Sequence, residues 1–294
     1  KAFINVCRHR GAKVELKECG KTRTFSCPYH SWTYGLNGEL RGMPQPHGFD
    51  KLEKEQFGLA ELPVFEHFGM IWVIPSFDEK KVNMTVWLSP MEEQFQALDL
   101  ENHTIYKKWS VPRNMSWRLG LEGFQENYHF CSAHEHTACS GYLDNQSVFI
   151  NHYPHVRHSV PLWKIRDLKN KPPEEWNYRE YFMTQNYLFP CNFVQVMTDH
   201  VYVHTIIPTG PGKCVFKCMM LISEPPTDEK AKKYWEKNYS VVKEVFDEDF
   251  EIGEAIQFGL ETNANENFIF GKYECGLHWG QKAIDDALAG KLRA

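Results

Sequence analysis

Several things are scarce in this sequence, and each scarcity excludes a class of protein. No apolar run approaches the roughly 18 residues that a membrane span needs; the densest, FGMIWVIP at 68–75, is strand length. Positive charge is not in excess. Lys and Arg number 33 against 38 Asp and Glu, a formal charge of −5, which argues against a nucleic-acid surface and its basic patch. No internal repeat or low-complexity segment stands out. Nine cysteines is an odd count, scattered apart from two in metal-type spacing, so no disulfide framework is expected and a reducing, cytoplasmic compartment is. Cys19 and Cys191 are expected to be buried thiols. The chain opens on Lys1, and AFINV already reads as the middle of a strand, so upstream sequence, with any targeting signal, is expected to be missing.

What is present suits a soluble globular chain. The 294 residues, 42% hydrophobic and 14% aromatic, can bury a substantial core. Residues 1–76 read as short strands broken by turn signals at Gly11, Gly20, Gly35, Gly38, Pro44, Pro46 and Pro63, with poor helical periodicity. The charged DEKK at 78–81 marks a boundary, and 84–100 reads as a connector helix. A helix is expected from Trp117 to Ala133, strands at 200–208 and 213–223, and a long amphipathic helix from Thr227 to Leu260. That order fits an α+β arrangement, an antiparallel sheet with helices on one side.

Two groups of residues carry chemistry. Cys7-x-His9 and Cys27-x-x-His30 supply two thiols and two imidazoles. Structural zinc uses such a set, although zinc fingers place both cysteines in one half and both histidines in the other. A Rieske [2Fe–2S] centre takes two Cys on one iron and two His on the other, and one of each from two loops would clamp it. Trp32, Pro28 and Tyr29 read as packing around such a group.

The second group is Glu126-x-x-His129 followed by His134. Glu126 and His129 would share a helix face. His129 and His134 stand about 140° apart on a regular helix, so a widened turn or a helix end must separate them to share a metal. Two His and one carboxylate form the facial triad of non-haem Fe(II) oxygenases. On the long helix, Val242, Val245, Phe246, Ile252, Ile256 and Leu260 define the apolar face. Asp249 falls near its centre, whereas Asp247, Glu248 and Glu251 fall to the side or opposite. A carboxylate aimed into a core needs a partner or a metal, which makes Asp249 the third ligand or a core Asp satisfied by Arg or backbone amides. His136 competes with His134 as a ligand. HYPHVRH at 152–158 reads as a polar sheet edge or a contact for a polar substrate, and Phe130, Tyr187 and Phe189 as core or pocket lining.

CRHRGAKV…CPYHSWTYGLNGEL resembles the cluster-binding segment of Rieske-type ring-hydroxylating oxygenase α subunits, whose usual text is CxHRG and then CPYHGW; Ser31 stands where glycine is common. Glu126, His129 and His134 resemble that family's D/E-x-x-H-x4-H motif, and Glu248-Asp249, Glu254 and Gln257 its ED-x4-E-x-x-Q pattern. The resemblance covers essentially the whole chain. It implies an all-β Rieske domain at 1–80, lacking its first strands, and a helix-grip (START-like) catalytic domain at 81–294. It implies a [2Fe–2S] cluster on Cys7, His9, Cys27 and His30, and a mononuclear Fe(II) on His129, His134 and Asp249. Glu126 would bridge His129 to a cluster histidine, His9 or His30, of a neighbouring subunit in a head-to-tail homotrimer. Electrons would come from NAD(P)H through a reductase, with or without a ferredoxin, and O2 would be the co-substrate. The implied activity is mono- or dioxygenation of an aromatic or other cyclic compound. A quaternary ammonium substrate is the alternative that the glutamate at position 126 favours, and a Rieske electron carrier without oxygenase activity is the distant one.

Overall fold

In a computed structural model, residues 1–76 and 83–292 are described; the DEKK boundary lies outside them. The chain divides into two compact units, one through Met84 and one from Thr85.

The first unit is built from strands of two to four residues, as its turn signals predict. β1 (Ala2–Phe3) pairs with β5 (Glu61–Leu62); β2 (Phe25–Ser26), β3 (Thr33–Tyr34) and β4 (Leu40–Gly42) form a three-stranded sheet; β6 (Val64–His67) pairs with β7 (Met70–Val73). Such short ladders hold little by themselves. Side chains complete them: Asn5 Oδ1 accepts from the N–H groups of Val14 and Glu15, both at 2.9 Å. A small core of Cys7, Val14, Cys27, Trp32, Tyr34 and Leu40 sits behind the two Cys/His turns.

α1 (Met84–Leu88) carries the chain from the first unit into the second, followed by α2 (Glu92–Gln96); together they are the expected connector helix, broken by a 3-10 turn at Ser89–Met91. Its centre is a seven-stranded antiparallel sheet of β8 (Thr104–Arg113), β9 (Val148–His152), β10 (His155–Pro161), β11 (Phe182–Leu188), β12 (Asn192–Val196), β13 (His200–Gly210) and β14 (Lys213–Ile222). The spatial order is β8-β14-β13-β12-β11-β10-β9. The edge strands β8 and β9 alternate exposed with half-buried residues, and Pro112, which has no N–H to donate, sits on edge β8. β11, β12 and the first part of β13 are buried on both faces, with Thr184, Gln185, Asn186, Gln195 and His204 as buried polar residues among the apolar ones. HYPHVRH departs from its reading as a sheet edge. The edge is β9, and β10 lies one strand in, with His155 and His158 buried.

α3 (Trp117–Glu122), α4 (Phe130–Ala133), α5 (Tyr178–Tyr181), α6 (Glu229–Glu261) and α7 (Cys275–Leu288) complete the unit. α6 starts where Asp228 caps it by accepting from the Ala231 N–H at 2.7 Å. It lays Val242, Phe246, Phe250 and Gly253 against the sheet. A Cβ on Gly253 would come within 2.5 Å of Met115 Sδ, so glycine permits that approach. The facing aromatics pack closely: Phe124 stacks on Phe193 at 4.6 Å and meets Phe246 edge-on at 4.9 Å, and Phe216 meets Phe250 edge-on at 4.8 Å. α3 and α7 cover the same face, whereas α2 and α5 lie by the opposite face beside Thr184 and Asn186. Helices therefore flank both sides, although the long ones share one. Among the described residues no helix is long and apolar enough to cross a membrane.

Candidate cluster and iron sites

In the first unit the two Cys/His turns fold back toward each other. The Gly11 and Ser31 N–H groups donate to the carbonyls of Cys7 and Cys27, both at 2.9 Å, closing each turn. Cys7 and Cys27 are buried, the His9 and His30 rings lie 4.7 Å apart, and Trp32 stacks on His9 at 4.9 Å. Tyr34 shares a hydrogen bond with Cys7 Sγ at 3.2 Å and accepts from the Arg8 N–H at 3.0 Å. Burial pushes the Cys7 thiol up, but hydrogen bonds from Tyr34, the His9 and Arg10 backbone and Cys27 outweigh it and hold the thiol below its ordinary value. Buried His9 Nδ1 has no partner among the described residues. Two adjoining thiols, two adjoining imidazoles and an unpaired ring nitrogen fit a Cys2His2-held [2Fe–2S] cluster.

The second site gathers at the ends of short helices. Glu126 is extended (φ −148, ψ 170), so the expected helix at 117–133 breaks after a 3-10 turn at Gly123–Gln125 and resumes as α4. Glu126 therefore shares no helix face with His129. It reaches that residue as a cap: its Oε2 accepts from the N–H groups of Tyr128 and His129, and its Oε1 meets His129 Nδ1. His129 and His134 flank the single turn of α4, which is the helix end their spacing calls for. α6 brings in Asp249, whose Oδ1 lies 3.5 Å from His129 Nε2 and 3.0 Å from His134 Nε2. One ligand atom from each of the three residues lies within 4.8 Å of the others.

The sequence names Glu248 only within the ED-x4-E-x-x-Q pattern and gives it no role. It was placed off the apolar face, yet its Oε2 takes His134 Nδ1 at 2.7 Å and accepts from Thr137 Oγ1 at 2.8 Å. Each histidine thus has a carboxylate on Nδ1 and turns Nε2 toward Asp249. That arrangement fixes the tautomer and strengthens an imidazole ligand. Opposite charges in the group support one another. Burial opposes the charged form of His129, but Asp249 and Glu126 overcome it and raise its pKa to about 10; burial likewise opposes charge on Asp249, and the two histidines still hold it below the usual carboxylate range. A 2-His-1-carboxylate set oriented in this way fits a non-haem iron.

The remaining motif residues serve the scaffold. Glu254 Oε1 accepts from the Asn114 N–H at 2.7 Å, Gln257 Oε1 from the Ser116 N–H at 2.9 Å, and Asp247 pairs with Arg113 at 2.7 Å. The helix that presents Asp249 thereby grips the chain entering α3. His136 does not compete for the metal, since its side chain is 88% exposed. Tyr187 belongs to the core, whereas Phe130 lines the cavity below. Two cysteine expectations fail as well. Cys131 and Cys139 form a disulfide tying α4 to the loop after His134, because their Cα atoms stand only 4.7 Å apart. Cys19 is exposed and Cys191 half-buried, because one sits on a surface turn and the other at a strand start.

A cavity of about 190 Å³ opens beside the three clustered side chains, between α6 and the sheet. Phe124, Phe130, Tyr142, Val160, Val242 and Phe246 supply most of its apolar wall, and Gln185 and Gln195 stand on its sheet side. No Lys or Arg is among the described residues that line it.

Residues 100–290 match the ring hydroxylating alpha subunit (catalytic domain) family, and residues 1–65 match the Rieske [2Fe-2S] domain. A chloroplastic choline monooxygenase of Beta vulgaris is 26% identical over 94% of this chain; the chain spans 61% of that relative's length. The large oxygenase component of a naphthalene 1,2-dioxygenase system of Pseudomonas aeruginosa is 33% identical over 51% of this chain and 33% of its own. The crystal structure of the quaternary ammonium Rieske monooxygenase CntA with L-carnitine superposes with a TM-score of 0.76 at 18% identity, covering 96% of this chain and 77% of that one. With the catalytic-domain match spanning most of the second unit and the Rieske match most of the first, the chain belongs to the ring-hydroxylating α-subunit family, with a Rieske [2Fe–2S] domain ahead of a mononuclear-iron catalytic domain.

Proposed function

We propose that this protein is a terminal oxygenase component that uses O2 to hydroxylate a small organic compound, either aromatic or otherwise cyclic. Convergence of His129, His134 and Asp249, with a carboxylate on each histidine Nδ1, carries the proposal. Bound at these sites, a Rieske cluster supplies one-electron transfer and a ferrous ion supplies O2 activation.

The chain's own groups perform the rest. Cys7, His9, Cys27 and His30 hold the cluster, with the Tyr34 hydroxyl placed to donate to the Cys7 sulfur. Glu126 and Glu248 keep both imidazoles in the tautomer that offers Nε2. Phe124, Phe130 and Phe246 exclude water from the cavity beside the triad and position an apolar substrate body there. A dry cavity of roughly 150 Å³ accepts benzene, so about 190 Å³ suits a molecule of one or two small rings. The domain boundary is placed near residue 80, the first domain carrying the cluster and the second the iron. In a homotrimer Glu126, already paired with His129, would be the bridge toward a cluster histidine of another copy. A reductase, with or without a ferredoxin, would deliver electrons from NAD(P)H. Seven free cysteines support a cytoplasmic location, and the Cys131–Cys139 disulfide is the feature that opposes it.

A quaternary ammonium substrate is the second reading. Four aromatic residues of the cavity, Phe124, Phe130, Tyr142 and Phe246, support it, because aromatic faces attract such cations. No Lys or Arg is among the described lining residues, which favours a cation without a carboxylate, since an anionic group would be buried without a partner.

Low-temperature EPR of the dithionite-reduced protein, with iron and acid-labile sulfide counted on the same sample, tests the proposal. A Rieske signal with about three irons and two sulfides per chain is expected. Zinc without sulfide or signal overturns it. Equilibrium dialysis of the loaded protein with choline and with indane then separates the two substrate readings.

A further inference from the structure

The cavity wall opposite the metal-ligating triad is not purely apolar. Gln185 on β11 and Gln195 on β12 stand directly across from each other in the antiparallel ladder, so their side chains leave the same face of the sheet. Both line the cavity, and both are more than nine-tenths buried, at 8% and 6% exposure. Long amides at the heart of a core are unusual unless their hydrogen bonds are made.

Those bonds are only half made. The His204 Nε2 meets Gln195 Oε1 at 3.3 Å. His204 is fully buried and kept neutral, and with its proton on Nε2 it donates to that oxygen. Gln195 is thereby oriented with its carbonyl on His204, and its Nε2 donates only to the weak acceptor Met197 Sδ at 3.5 Å, itself a lining residue, which leaves a second N–H without a protein acceptor among the described residues. Gln185 is the counterpart. No donor among the described residues reaches its buried Oε1. The ladder thus brings one acceptor without a donor and one under-used donor together at the cavity wall, next to His158, which faces Gln185 in the ladder and already meets Phe124 O and Ser147 Oγ with its two ring nitrogens.

We propose that Gln185 and Gln195 form a paired-amide subsite that selects substrates carrying one hydroxyl or carboxamide group, Gln185 Oε1 accepting from that group and Gln195 Nε2 donating to it. The inference rests on the oxygenase reading for its substrate and refines it. A group able both to donate and to accept satisfies both amides at once. A carboxylate leaves Gln185 Oε1 without a donor, and a hydrocarbon leaves both amides unpaired. Sites with buried polar groups discriminate strongly against analogues lacking the matching group. His204 is a positioning residue here, since it touches Gln195 and not the cavity contents.

The test compares indane with 1-indanol, which differ by one hydroxyl, in equilibrium dialysis against the cluster- and iron-loaded protein. The wild type is expected to bind 1-indanol roughly tenfold more tightly than indane. In Gln185→Leu the preference is expected to vanish or reverse while indane binds as well as before or better. Gln185→Leu should also melt no lower than the wild type, because it removes an unpaired buried acceptor rather than a structural bond; a glutamine kept for packing or folding would lower the melting temperature instead. Gln195→Leu should lose the preference too, with some loss of stability from stranding the His204 N–H. A wild-type ratio near one, a ratio that survives both substitutions, or no binding of either compound overturns the subsite. Iron and sulfide counts on the same samples report on the oxygenase reading separately, so its failure would show there and not in the binding ratio.

Discussion

All four candidate cluster ligands lie between residues 7 and 30, on two turns closed by their own backbone hydrogen bonds. The three candidate iron ligands are two histidines on either side of a one-turn helix and Asp249, which follows more than a hundred residues later on a long helix. The first site asks little of the rest of its unit beyond a small core behind the turns. The second exists only when α6 docks, because Asp249 and Glu248 both ride on it. A locally encoded site tolerates weak surrounding structure, whereas a site assembled over long range needs a scaffold that fixes helix register.

Asp249→Ala breaks the comparison most severely. It should abolish mononuclear iron, from about one per chain to near zero, and leave the cluster signal untouched. Unchanged iron content would show that the carboxylate ligand is misassigned. Glu126→Gln and Glu248→Gln come next and should separate from each other. Glu248→Gln is expected to weaken iron binding by roughly 10- to 100-fold. Glu126→Gln is expected to keep cluster and iron while turnover nearly disappears, and normal turnover would sink its bridging role.

Acid should act on the second unit through its buried histidines. The His155 Nε2–H donates to Trp87 O at 2.8 Å and its Nδ1 accepts from the Phe189 N–H at 3.1 Å, so the native ring is neutral. Burial lowers its pKa to about 4. As pH falls below roughly 6.5 the unfolded chain takes up the proton first. Stability is therefore full above that pH and declines toward pH 4, by at most about 1.4 kcal/mol per pH unit for this group. His204 acts with the same sign. Urea midpoints measured between pH 7 and 4.5 check this, and His155→Gln should give a shallower slope.

The smallest effect belongs to the cluster turns. Ser31 has φ +56, a conformation that suits glycine, which is the residue common in the family at this position. Ser31→Gly is expected to stabilise the first unit by up to about 1 kcal/mol, read as a delayed thermal loss of the cluster's visible absorption.

The grouping of Cys7, His9, Cys27 and His30 was legible because it lies in local spacing. Asp249 was legible because a helical wheel places it on an apolar face. Glu248 was not, since a wheel gives direction from the helix axis but not the reach of a long side chain toward a loop that arrives from elsewhere. Glu126 was assigned the right neighbour for the wrong reason: the spacing suggested a shared helix face, whereas the chain is extended there and the carboxylate works as a cap. β10 misled because a stretch rich in His and Arg looks like an edge until a further strand covers it. Gln185 and Gln195 gave no signal at all, for only strand register sets them side by side.

Asp247, Glu248, Asp249, Glu254 and Gln257 occupy one stretch of a single helix and engage Arg113, His134, the His129/His134 pair, Asn114 and Ser116 in turn. Inserting or deleting one residue there would turn part of that set by about 100° and shift it by 1.5 Å, disconnecting the triad from the clamp that locates it. Length variation in α6 can therefore accumulate only outside residues 247–257. The segment works as a toothed key, in which the spacing of the teeth carries more meaning than any one of them.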